Sequence, residues 1–363
     1  MSTVAVIVIV FTLIQMLVAF TNLLTGGIGT GDEKTQDDHV SVLIPARNEE
    51  NNIRNILEDL RWQNYSNIEI LVYDDQSEDA TAEVVLGMQK NDPRISLIPS
   101  EGLPPGWLGK NHACHVLAGM AGGRYLLFLD ADVRIGKKLI GQMLAFSRRH
   151  ASSLVSIFPK QLIYTAGEWI TVPVMNFILL SLLPLILVRK ARQPSLSAAN
   201  GQFMLFTTSD YRKTEPHRLM KDKRAEDIAI AQYYKRQGLK VACLAGNDEI
   251  RCRMYSGFSD AVDGFSKNVT AFFGNSFILA ILFWLVTGLG FIPVMLACPG
   301  HILFLYLAMV VVTRIFISLA SRQNILLNLL FMIPLQVSLG FIIYKAFFNN
   351  YFGTFEWKGR KIY

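Results

Sequence analysis

The chain has 363 residues, 51% of them hydrophobic, and a formal net charge of +6, with a mean hydropathy of +0.31. That balance excludes an ordinary soluble domain, and the 29 acidic residues, nearly all between Asp32 and Asp263, exclude a bare membrane channel. The positive charge suits a surface lying against anionic lipid, and without a basic stripe interleaved with aromatics it does not predict nucleic-acid binding.

Thr3 to Leu24 is a nearly uncharged apolar run long enough to span a bilayer. No basic segment precedes it and no small-x-small cleavage site follows, so residues 1–25 read as a retained anchor rather than a signal peptide. A linker rich in Gly, Thr and Asp occupies 26–39. From Val40 the pattern becomes that of an α/β domain. Val40 to Ile44 is a β-rich run ending in Pro45-Ala46-Arg47-Asn48-Glu49-Glu50, and Ile53, Ile56, Leu57 and Leu60 then fall at helical spacing. Ile68 to Tyr73 is a second strand, ending in Asp74-Asp75, followed by a helix over Ala80 to Lys90 and a strand over Ile95 to Ile98. A loop from Gly102 to Gly109 leads to a helix over about Lys110 to Ala121. Tyr125 to Leu129 is a buried strand that runs straight into Asp130-Ala131-Asp132. Strands alternating with helices predict βαβ units in a mostly parallel, Rossmann-like sheet whose polar loops gather at one edge.

Leu154 to Ile163 reads as a further strand. Residues 169–188 are apolar, contain Pro173 and Pro184, and end at Arg189-Lys190, which predicts one helix lying in the membrane interface. A helix from Asp227 to Arg236 stops at Gly238, a residue suited to the left-handed position after a helix. The α/β domain is thus expected over 40–268. Phe272 to Ala297, Ile302 to Ala320 and Ile325 to Phe348 are spanning candidates within 269–350, ahead of a basic tail over 351–363. Three full crossings would place that tail opposite the basic catalytic domain, against the positive-inside rule. The third segment, with Pro334 and Gln336, is therefore expected not to cross fully. The four cysteines form no C-x-x-C pair and no metal-ligand spacing, which reads as reduced thiols in a cytoplasmic domain.

Asp130 and Asp132, one residue apart at a strand exit, can reach one hard cation together with phosphate oxygens. Lys110 begins a helix behind a Gly-rich loop, a position that favours phosphate, and the spacing is not that of a P-loop. Glu226 and Asp227 open a helix, where the dipole is expected to lower a carboxyl pKa. His112 and His115 have no third ligand and read as packing or capping.

Taken together, Val42-Leu43-Ile44-Pro45-Ala46-Arg47-Asn48-Glu49-Glu50, Asp74-Asp75-Gln76-Ser77-Glu78-Asp79-Ala80-Thr81, Asp130-Ala131-Asp132 and Glu226-Asp227 resemble, in order, the motifs of family 2 glycosyltransferases. Gly106-Trp107-Leu108-Gly109-Lys110-Asn111 and the tail Trp357-Lys358-Gly359-Arg360 resemble a membrane-anchored branch acting on ceramide, hopanoid and carotenoid (diaponeurosporenoate-type) lipids. The resemblance implies a GT-A fold and an inverting transfer from a nucleotide-diphosphate sugar, UDP-glucose first among them, to a lipid acceptor at the cell membrane. It implies nucleotide-sugar contacts from Pro45, Arg47, Glu49, Asp75, Lys110 and Asp130, with Mg²⁺ or Mn²⁺ on Asp130 and Asp132. Asp227 falls where the family's catalytic acid falls, with Glu226 beside it. Arg253 or Lys267 is expected to supply a further cation for the diphosphate. The chain lacks the Q-x-x-R-W of processive polysaccharide synthases, which favours a single sugar added to a lipid. A polyprenyl-phosphate acceptor, served by Arg189 and Lys190, is the alternative enzyme; a membrane scaffold with a degenerate nucleotide fold is the alternative without chemistry.

Overall fold

The short apolar runs become central strands because both of their faces are covered by other elements. The computed structural model describes residues 2–29, 37–352, 356–357 and 360–361; residues 30–36 of the expected linker and Lys358 and Gly359 of the tail lie outside them. Helix α1 (Thr3–Thr25) opens the chain. The α/β domain runs β1 (Val40–Ala46), α2 (Ile53–Arg61), β2 (Ile68–Asp74), α3 (Thr81–Gln89), β3 (Ile95–Pro99), α4 (Gly109–Met120), β4 (Tyr125–Leu129), β5 (Val133–Ile135), α5 (Leu139–His150), β6 (Leu154–Phe158) and β7 (Lys160–Gln161). It continues through α6 (Ala166–Trp169), α7 (Pro173–Leu182), α8 (Leu185–Lys190), β8 (Phe203–Thr207), α9 (Thr208–Thr214), α10 (Pro216–Leu219), α11 (Glu226–Arg236), β9 (Val241–Ala245), β10 (Ile250–Cys252) and α12 (Phe258–Ser266). Five helices follow: α13 (Phe277–Leu289), α14 (Phe291–Ala297), α15 (Gly300–Ala320), α16 (Ile325–Leu330) and α17 (Met332–Phe352).

Seven strands form the main sheet in the order β3-β2-β1-β4-β8-β6-β9. β1 is parallel to β2 and β4, with Leu43 facing Leu71 on one side and Phe128 on the other. β8 alone runs the other way, pairing antiparallel with β4 and β6. Its first residue, Phe203, pairs with Leu129 at the end of β4. The residues just before β8 therefore meet the loops that leave β1, β2 and β4. On one face of the sheet Leu43, Phe128 and Phe206 pack toward α4, α7 and α11. On the other, Ile44, Leu127 and Leu205 pack against α2 and α5.

The single interfacial helix predicted over 169–188 is instead two helices, α7 and α8, preceded by the short α6 that ends at Trp169. Pro173 sits in the first turn of α7, where its missing N–H costs nothing, and Pro184 precedes α8. Every residue from Pro173 to Ser181 is buried. Gln15 of α1 donates to the Ser181 hydroxyl at 3.1 Å, and Phe177 packs 5.5 Å from Phe283 of α13. The segment is a core helix because α1 and the C-terminal helices cover it.

α1, α15 and α17 are each long and apolar enough to cross a membrane, as is the pair α13–α14, bent by 51°. Their directions follow from their contacts. Ala5 and Val8 of α1 cluster with Val294, Tyr306 and Met309, whereas Phe20 packs 5.3 Å from Phe316. α1 and α15 thus run parallel, and the end of α1 is tied to the α/β domain, its Asn22 donating to the Leu180 and Leu183 carbonyls at 3.0 and 2.9 Å. α17 runs antiparallel to α13: Trp284 Nε1 donates to the Gln336 carbonyl at 2.9 Å, and Phe347 lies 5.5 Å from Phe277. Lys345 near the end of α17 pairs with Asp263 of α12. The third apolar segment accordingly begins and ends beside the α/β domain. Pro334 is accommodated in the first turn of α17 and does not break it.

Candidate active site

Three parallel strands deliver the first half of the site. The turns after β1 and β2 both pass through left-handed backbone, at Asn48 (φ 53°) and Gln76 (φ 56°), conformations that side-chain-bearing residues adopt only when their surroundings fix them. They are locked together: Asp75 N–H donates to the Ala46 carbonyl at 2.8 Å, and Arg47 Nη1 donates to the Asp75 carbonyl at 2.6 Å. A cavity of about 140 Å³ opens there, lined by Pro45, Arg47, Glu49, Asp75, Lys110 and the two aspartates after β4.

Lys110 ties this cavity to the second half of the site. Its Nζ lies 2.7 Å from Asp130 Oδ1 and 3.7 Å from Glu226 Oε1. Burial would lower its pKa, but the carboxylates of Asp130 and Glu226 outweigh burial and raise it, so it stays a cation. Asp132 is in the opposite position. Burial first, then the neighbouring Asp130 and Glu49, push its carboxyl well above the usual range. Its Oδ1 is buried with no hydrogen-bond partner among the described residues. Two repelling carboxylates with an unmatched buried oxygen fit a divalent cation. No group of three His, Cys, Asp or Glu surrounds them among the described residues, so the remaining ligands of such an ion would be substrate or water oxygens.

The antiparallel entry of β8 brings Asn200-Gly201-Gln202 against α11. Gly201 N–H donates to Asp227 Oδ2 at 3.0 Å, and Ile228 N–H to Oδ1 at 2.8 Å. A Cβ on Gly201 would stand 2.9 Å from Lys110 Nζ and 3.1 Å from Glu226 Oε1. A methyl group there would press on the charged ends of both side chains of that ion pair. The helix-start position predicts a lowered pKa for Asp227, but burial overrides the dipole and raises it. Glu226 is likewise pushed up to about 7, by burial with Asp227 adding and Lys110 opposing. Asp227 is therefore a stronger base than its place at a helix start predicts. Glu226, Asp227, Lys110, Gly201 and Lys267 line a second cavity of about 550 Å³, which shares Gly109, Lys110, Asp130 and Asp132 with the first.

One predicted donor contact is not brought to the site. Arg253 Nη2 is 2.8 Å from Glu168, and its guanidinium lies 5.0 Å over the Tyr164 ring. Glu168 is fully buried and also accepts from the Tyr164 N–H at 2.7 Å, so the arginine is held as the counter-charge of a buried acid. Arg189, expected to serve a lipid phosphate, sits 2.9 Å from His150 and lines none of the cavities described. His115 stacks on Trp107 at 5.2 Å, in line with packing.

Sequence reasoning missed Gly201, whose signal was an Asn-Gly pair just before a strand and whose role depends on β8 being antiparallel. It also gave no role to Asn111, which is 1% exposed and donates to the Met220 and Lys223 carbonyls at 2.8 and 3.0 Å. That side chain pins the segment that leads into Glu226.

A Rossmann-like sheet with paired acids at its edge and apolar helices at both chain ends has the architecture of a GT-A enzyme, and the chain is a glycosyltransferase. Residues 41–212 match the model of Glycosyl transferase family 2. It is 27% identical over 260 residues to a 4,4'-diaponeurosporenoate glycosyltransferase of Staphylococcus haemolyticus, covering 70% of this chain and 67% of that one. With the protein of the same name from Staphylococcus aureus it shares 26% over 345 residues, 89% and 88% of the two chains. A mannosyltransferase of Pyrobaculum calidifontis, solved with GDP-Man and Mn2+, superposes with a TM-score of 0.57 at 14% identity, over 95% of this chain and 98% of that one. That likeness concerns the fold alone.

Proposed function

We propose that this enzyme moves one sugar from a nucleotide-diphosphate donor, UDP-glucose as the first candidate, onto a hydroxyl or carboxyl of a membrane lipid, inverting the anomeric carbon. The observation that carries this reading is one continuous site: Asp227 lines the same cavity as Lys110, Asp130 and Asp132. Base and ribose would lie against Pro45, Arg47, Glu49 and Asp75, whose carboxylate can accept from a ring N–H. Lys110 and Lys267 would face the diphosphate. Asp130 and Asp132 would hold Mg²⁺ or Mn²⁺, which when bound offsets the charge that grows on a departing diphosphate.

With a hydroxyl acceptor, Asp227 takes the proton as that oxygen attacks; a carboxylic acid acceptor attacks as its carboxylate and has no proton to give up. The raised pKa of Asp227 favours its role as base, and the Gly201 and Ile228 N–H groups fix its orientation. The relatives' printed name makes a carotenoid acid the first acceptor to assay, with hopanoid, ceramide and diacylglycerol types for comparison. We place the catalytic domain on the cytoplasmic face of the cell membrane, held by several passes of α1 and the C-terminal helices. The test is Asp227→Asn with a hydroxyl-bearing lipid acceptor: transfer is abolished while UDP binding by calorimetry persists. Retained transfer, or loss of UDP binding as well, would overturn the role given to Asp227.

A further inference from the structure

Beside the catalytic cavity lies a second, apolar one of about 710 Å³, within the range of about 300–1,000 Å³ that one ligand typically fills. It is bounded by Phe11 of α1, Leu182 of α7, Leu282 and Phe283 of α13, and the Pro194–Ala199 segment. One wall is α11, which presents Ile228, Gln232 and Arg236 at four-residue intervals along a single face. The same helix begins with Glu226 and Asp227. The two cavities share Phe158, Ala199, Ile228 and Phe272 as wall residues. Leu279 and Leu282, 53% and 50% exposed, line the apolar cavity and at the same time lie on the outer face of α13 with the exposed Ile278, Ile281 and Leu285. A soluble protein rarely leaves such a slot open to its surroundings, but a helix against lipid can.

We infer that this cavity is the binding site for the apolar chain of the acceptor, admitted sideways from the bilayer past α13, with its reactive end passing Phe158 and Phe272 to reach Asp227. The inference rests on the function proposed above and adds a substrate class: a lipid with one chain that carries its acceptor group at the end.

The test uses the full chain in nanodiscs, with UDP-glucose and two acceptors bearing the same end group, one long-chain and one short and water-soluble. Leu182→Trp and Leu282→Trp fill the cavity from opposite walls, and UDP binding reports that each is folded. Efficiency with the long acceptor should fall about tenfold or more, the effect of overpacking a preformed site by more than 1 kcal/mol. Efficiency with the short acceptor and the Kd for UDP should stay within about twofold. Unchanged use of the long acceptor by both variants, or equal losses with both acceptors, would overturn the assignment of the cavity. If the unmodified protein binds UDP yet glucosylates neither acceptor, the proposed function fails first.

Discussion

At the scale of single residues the site turns on charges placed where they oppose one another. Asp130, Asp132, Glu226 and Asp227 crowd around one lysine, and burial raises three of them, Asp132, Glu226 and Asp227. A carboxyl whose folded pKa exceeds its unfolded value holds a proton that the unfolded chain has released, so stability falls as pH rises between the two values. For Glu226 that window runs from 4.5 to about 7. The thermal midpoint of the metal-free protein should therefore fall across it, by up to about 1.4 kcal/mol per pH unit for one carboxyl. Glu226→Gln should flatten the slope, and an unchanged slope would show that the proton resides elsewhere. Gly201→Ala should part Lys110 from Glu226, destabilise the fold by about 1–3 kcal/mol and depress turnover more than UDP affinity, measured side by side. The paired acids and Lys110 were legible in the sequence because strand exits and helix starts have local signatures. Gly201 was not, because its partners are 26 positions away on α11 and 91 away on α4, joined only by the reversed direction of β8.

At the scale of elements, periodicity located β1 to β4 and their helices to within a few residues, since each is short, apolar and bounded by turn-forming residues. It does not separate a helix facing lipid from one buried in protein, which is why the sequence of α7 suits an interfacial helix equally well. Both are apolar all round, and only the packing of α1 and α13 over α7 decides between them. Gln336 is a similar case. In the sequence it reads as a flaw in a spanning helix. In the fold its Nε2 donates to the Trp284 carbonyl at 3.0 Å and the Thr287 hydroxyl at 2.8 Å, clamping α17 to α13. Gln336→Leu should cost about 1–2 kcal/mol in thermal unfolding of the detergent-solubilised protein. Asn111→Ala should release the segment before Glu226; a drop in kcat with UDP affinity retained is expected, and equal losses in both would indicate general unfolding instead.

At the scale of the whole molecule, the ends of α1, α15 and α17 all lie at the α/β domain, while the α14–α15 junction lies at the far end of α1. This direction of α17 removes the conflict with the positive-inside rule that three full crossings would create. Cys298, partly exposed at that junction, is a native reporter of it. In sealed vesicles a membrane-impermeant thiol reagent should reach Cys298 from one side and an Asn350→Cys variant from the other. Labelling of both from the same side would contradict the arrangement. The central claim is that these elements together build an inverting lipid glycosyltransferase. Its most direct test is the anomeric configuration, by NMR, of the glycolipid made from UDP-α-glucose and a carotenoid acid by the purified full-length protein. The account predicts a β-glucosyl product; an α-linked product, or none with any nucleotide sugar, would contradict it.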